Sequence, residues 1–97
     1  MQIFWTERVN EIYKSHRAKL MKLIDEKNFN DVVNTAHNLE NIFQKICAEM
    51  PEDEKKTALL LLNEKVKKLK ESATYKNQRM ANEKLDILDN YYFEKAF

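Results

Sequence analysis

The chain contains no glycine and a single proline, Pro51. Without glycine, turns that require positive φ have no low-cost residue, so sheets built on tight hairpins are disfavoured and helices joined by short links are favoured. From Pro51 to Phe97 nothing breaks a helix, and the apolar residues are spaced for one. Leu59, Leu62, Val66, Leu69 and Ala73 recur in steps of three and four, which keeps them on one stripe. Leu60 and Leu61 widen that stripe. Ala81, Leu85, Leu88 and Tyr92 repeat the spacing in a shifted phase, so one straight helix would carry its apolar face round to another side. The segment therefore bends or breaks, and the cluster of Ser, Thr, Asn and Gln between Ser72 and Asn82 is the expected place, because those side chains compete for backbone hydrogen bonds. As one helix of about 45 residues it would be a rod of roughly 65 to 70 Å, longer than any core that a chain of this size provides. Part of it must project, fold back, or pack on another chain.

Ninety-seven residues make one small domain, 1–97. The expected fold class is all-α: an antiparallel helical hairpin packed on a long third helix, in a three- to four-helix bundle. Helix one is expected over about 4–27, where Trp5, Val9, Ile12, His16, Leu20 and Leu23 share a face that Tyr13 and Ile24 broaden, and charges fill the other side. Asn28 is expected to close it in the left-handed conformation and Asn30 to cap the next helix, with Asp31 in its first turn. Helix two is expected over about 31–49, with Val32, Val33, Ala36, Leu39, Phe43, Ile46, Cys47 and Met50 inward. Met50-Pro51 ends it, since proline disfavours helical geometry in the residue before it and suits a first helical position. Helix three is expected over about 51–73 and a C-terminal helix over about 76–96, continuous with it or separate.

Seventeen basic residues against sixteen acidic ones leave a net charge of +1, so no global field recommends nucleic acid or an anionic membrane. Lys65, Lys67, Lys68 and Lys70 form the best basic cluster, but Glu64 with Lys68 and Lys67 with Glu71 are spaced to pair along a helix. One cysteine, Cys47, cannot form an intramolecular disulfide and is most simply a small core residue of a reduced, cytoplasmic protein. Met1 to Asn10 is too short and wrongly flanked for a signal peptide, and the longest apolar run, Ala58 to Leu62, falls far below the ~20 residues of a membrane span. His16 and His37 sit in no ligand or nucleophile motif, Asp86 and Asp89 read as solvated charges, and without glycine the usual phosphate loops are excluded. No catalytic residue, metal or cofactor is expected. The aromatic tail, Tyr91, Tyr92, Phe93 and Phe97, points in several directions on a helix; it either caps the bundle or marks an interface.

These residues resemble the FliT-like flagellar export chaperones. The likeness lies in LMKLIDEKNFNDVVNTAHNLENIFQKI, with Phe29 standing for a turn aromatic, and in the long LLLLNEKVKKLKESATYKNQRMANEKLDIL, where Asn63-Glu64 resembles a frequent pair. The resemblance implies a non-enzymatic chaperone or adaptor of type III export whose long helix offers an apolar groove to an amphipathic helix of the substrate, covered by a C-terminal segment until the substrate arrives. Carried onto this chain, the groove is Leu62, Val66, Leu69 and Ala73, and the covering segment Leu85, Leu88, Tyr92 and Phe93. The shifted phase of the two stripes agrees with such folding back, and equally with a homodimer through the same surface. On the groove reading, Leu69→Asp removes binding and spares helicity. The alternative is a small regulator that binds a transcription factor or nucleic acid through Lys65 to Lys70.

Overall fold

In the computed structural model, which describes the backbone of residues 7–96 and the side chains of residues 7–92, four helices follow one another: α1 Glu7–Asp25, α2 Phe29–Glu49, α3 Glu54–Thr74 and α4 Gln78–Ala96. Each packs on its neighbour in sequence, and α4 returns to α1 and closes the ring. The second half is therefore two helices, and the longest principal extent of the molecule is 37 Å. That is close to one helix of about 20 residues, at 1.5 Å per residue.

Two of the three joints use one device. Lys27 and Lys76 both adopt a left-handed backbone, with φ of 57° and 55°. Around Lys27 the amides of Lys27 and Asn28 bond to the carbonyls of Ile24 and Leu23, and around Lys76 those of Lys76 and Asn77 bond to Ala73 and Ser72. This is the paired closure of a Schellman turn, usually made by glycine. The left-handed residue of the first joint is thus Lys27 and not Asn28. Asn28 precedes α2 directly, so that helix starts at Phe29, two residues before its expected start, and Asn30 lies inside it. The twin joint at Tyr75–Asn77 breaks the second half inside the expected window, and Asn77 Oδ1 accepts from the Met80 amide at 3.0 Å, capping α4. The third joint differs. Met50 is extended, and Asp53 caps α3 by accepting from the Lys55 and Lys56 amides. Pro51 therefore lies outside α3, which begins at Glu54 and not at the proline.

The core takes a stripe from every helix. In α1 the buried residues are Val9, Tyr13, Leu20, Leu23 and Ile24, while Ile12 and His16 are only half-buried. Val9, Leu20 and Leu23 thus face inward as expected, and the face is turned toward Tyr13 and Ile24, away from Ile12 and His16. His16 spends a ring nitrogen on the Ile12 carbonyl, 2.8 Å away in its own helix. Cys47 is a buried free thiol, and burial pushes its pKa up against the opposing pull of Lys56. Trp5, expected on the apolar face of helix one, and Phe97 of the aromatic tail lie outside the described residues. No helix among the described residues is long and apolar enough to cross a membrane.

Candidate functional site

Leu62, Val66, Leu69 and Ala73 line the inner face of α3, and all four are buried to within 1 %. Leu85, Leu88 and Tyr92 project from α4 into the same core, with Ala81 beside them. The stripe assigned as a groove is thus a cradle that the chain's own α4 already fills. The side chain of Phe93 lies outside the described residues. Because Leu69 is wholly buried, Leu69→Asp would place a charge in the core and unfold the chain, which removes it as a clean test of binding.

What holds α4 in the cradle differs from side to side. Against α3 the attachment is apolar, through Ala81, Leu85 and Leu88, with Tyr91 Oη donating to the Ala58 carbonyl at 3.2 Å. Against α1 it is polar. Asp89 is 9 % exposed; Arg17 Nε lies 2.8 Å from each of its carboxylate oxygens, and the Tyr13 hydroxyl donates to Oδ1. The Tyr13 ring stacks on Tyr92, with centroids 4.0 Å apart and planes 17° off parallel, and the Tyr92 hydroxyl donates to Asn10 Oδ1. At the far end of α4, Gln78 Nε2 donates to the Ile24 carbonyl at 3.0 Å, satisfying an acceptor at the end of α1.

These contacts shift two hydroxyl groups. Burial, then the hydrogen bond to Asp89 and the charge of that carboxylate, pushes the Tyr13 phenol far above its ordinary value of 10.0, and Arg17 offsets part of the rise. Burial also raises Tyr92. Both rings stay neutral across the physiological range, so among the described residues the α1–α4 seam carries one ion pair, Arg17 with Asp89, partly open to solvent on the arginine side.

Sequence reasoning missed this seam. Asp89 was set among solvated charges, yet it stands four residues after Leu85 and three before Tyr92, which puts it on the edge of the apolar stripe. Arg17 stands in the same relation to Tyr13, four residues on. A charged residue at such an edge in each of two helices was the available signal.

The lysine run is divided by the fold. Lys70 Nζ reaches across to α2 and meets both oxygens of the buried Glu40, at 2.8 and 3.0 Å. Lys65 lies over the Tyr91 ring, 4.9 Å from its centroid. Lys67 and Lys68 are exposed. Near the same α2–α3 interface Asn63 is buried, and its Oδ1 has no hydrogen-bond partner among the described residues. His37 is exposed and bonds to Asn41 one turn on. Among the described residues no three His, Cys, Asp or Glu side chains gather in a group that could hold a metal ion.

Comparison with protein-family profiles, with curated proteins and with solved structures returned no match.

Proposed function

We propose that this chain is a non-enzymatic helix-binding protein: its α4 occupies the cradle formed by the other three helices, and an amphipathic helix of a protein partner takes that place when α4 leaves. The observation that carries the reading is the unequal attachment of α4, apolar toward α3 and polar toward α1. An apolar stripe that accepts one amphipathic helix has the shape and chemistry to accept another. Release of α4 uncovers the Tyr13 ring on α1 as well as the stripe on α3, apolar surface that an incoming amphipathic helix would cover again. The Tyr75–Asn77 joint, three residues between α3 and α4, supplies the hinge.

The specific form of this reading, drawn from the resemblance, is a chaperone of the FliT-like kind that sequesters a helix of an export substrate in the cytoplasm. The buried free Cys47 fits a reducing compartment. A regulator acting on nucleic acid has less support, since Lys65 and Lys70 are engaged within the fold.

The test uses a fluorescent peptide of residues 78–96 offered to the full chain and to Asp89→Ala. The variant loosens α4 from α1 and raises the fraction of open molecules, and apparent affinity rises with that fraction. Binding about tenfold tighter to the variant, equivalent to about 1.4 kcal/mol, is the expected result. Failure of both proteins to bind the peptide, with both folded by circular dichroism, contradicts the reading.

A further inference from the structure

The cradle leaves unexplained the outer seam between α3 and α4, which faces away from the core. Leu61 and Ile87 are 48 % and 45 % exposed there, large apolar side chains on neighbouring helices. Two depressions flank them. One, of about 620 Å³, is formed by Leu61 and Tyr91 together with the acidic start of α3, Glu52 to Glu54. The other, of about 240 Å³, is formed by Lys65, Lys68, Lys84 and Ile87. The seam is therefore acidic at one end, apolar in the middle and basic at the other.

The spacing along α3 is regular. Glu54, Leu61 and Lys68 stand at intervals of seven residues, which returns each to nearly the same side of the helix after two turns. At 1.5 Å per residue, the acidic and the basic residue each lie about 10 Å from Leu61, on opposite sides of it.

We propose that this seam is the contact face of a two-fold symmetric dimer of the chain. A two-fold axis through Leu61, perpendicular to α3, sets Leu61 against the partner's Leu61. The same operation sets Glu54 against the partner's Lys68, and Lys68 against the partner's Glu54. An isologous interface must be its own complement, and a face carrying opposite charges at equal distances from an apolar centre satisfies that condition. The net charge of +1 opposes the approach of two copies only weakly. The dimer leaves the cradle residues untouched, but Ile87, Lys84 and Tyr91 belong to α4, so this face exists only while α4 is seated; association of the chain with no peptide added therefore reads it separately from helix capture.

Sedimentation equilibrium of the full chain, from micromolar to millimolar concentration, gives the test. The expected species has twice the 11.7 kDa of one chain and dissociates more readily as salt is raised. Leu61→Glu, at an exposed position, should retain its helicity and raise the dissociation constant about tenfold or more. Glu54→Lys and Lys68→Glu should each weaken the dimer alone, and either their combination in one chain or an equimolar mixture of the two variants should restore it. A chain that stays monomeric throughout overturns the proposal. So does a dimer indifferent to Leu61→Glu, or a charge exchange that fails to restore association. A monomer whose Leu61 and Ile87 resonances move on addition of a Leu- and Lys-patterned helical peptide would assign the face to a foreign helix instead, and also overturns it.

Discussion

α2 and α3 meet over the most extensive interface in the bundle, and α1 and α4 over the sparsest among the described residues. The difference in chemistry is larger than the difference in extent. Between α2 and α3 the core residues Leu39, Phe43, Leu62, Val66 and Leu69 are wholly buried, and one ion pair, Glu40 with Lys70, bridges the helices. Between α1 and α4 a stacked tyrosine pair, a carboxylate, a guanidinium and a side-chain amide carry much of the contact. Apolar burial depends only weakly on direction and tolerates small displacements, whereas a hydrogen-bonded charge pair holds one arrangement and loses most of its value when that arrangement slips. One pair of helices is thus built to stay together and the other to meet in a single register.

The strongest way to separate the two regions is alkaline pH. Tyr13 and Tyr92 have folded pKa values above those of the unfolded chain, so the unfolded state gives up these protons first. Their contribution to stability is complete below about pH 10 and is lost as pH rises further. Thermal melts should be flat with respect to these groups up to that point and fall beyond it. The tyrosinate absorbance of Tyr13 should then appear with unfolding and not before it. In Tyr13→Phe the fall should be shallower.

Asp89→Ala is next in size. It leaves Arg17 half-buried without its partner and takes the acceptor from the Tyr13 hydroxyl, and should cost about 2 kcal/mol, read by urea unfolding. Asn63→Leu works in the opposite direction on the other interface. The substitution removes a buried oxygen that has no partner among the described residues and should stabilise by about 1 kcal/mol, in the same measurement. Smallest is the relief of backbone strain at the twin joints. Lys27→Gly and Lys76→Gly should each add about 0.5 kcal/mol, the gain at a left-handed position exceeding the extra entropy of glycine in the unfolded chain.

How much of this could be read from the chain alone follows the same division. The apolar stripes of α2, α3 and α4 follow from spacing, because burial repeats with the helical period. The break in the second half was legible from the phase shift between Leu59–Ala73 and Ala81–Tyr92, two stripes that one straight helix cannot present to one core. Which residue turns left-handed was not legible from residue preference, since Asn28 is the better candidate on that ground and Lys27 takes the position. The repeated Lys-Asn pairs at 27–28 and 76–77 were a signal visible only by comparing the two joints. The polar seam was hidden for a different reason: Asp89 lies far in sequence from Arg17 and Tyr13, and a charge at the edge of an apolar stripe marks a candidate without naming the partner it meets across the bundle.

Native-state hydrogen exchange, followed helix by helix, tests the central claim most directly, because it measures the free energy at which α4 leaves while the rest of the bundle stays folded. The core amides of α4, around Leu85 and Leu88, should exchange through an opening of lower free energy than those around Phe43 in α2 and Val66 in α3. Asp89→Ala should widen that gap. Protection of α4 equal to that of α2 and α3, unchanged by the substitution, would show that α4 leaves only when the whole chain unfolds, and would contradict a cradle that can exchange its own helix for another.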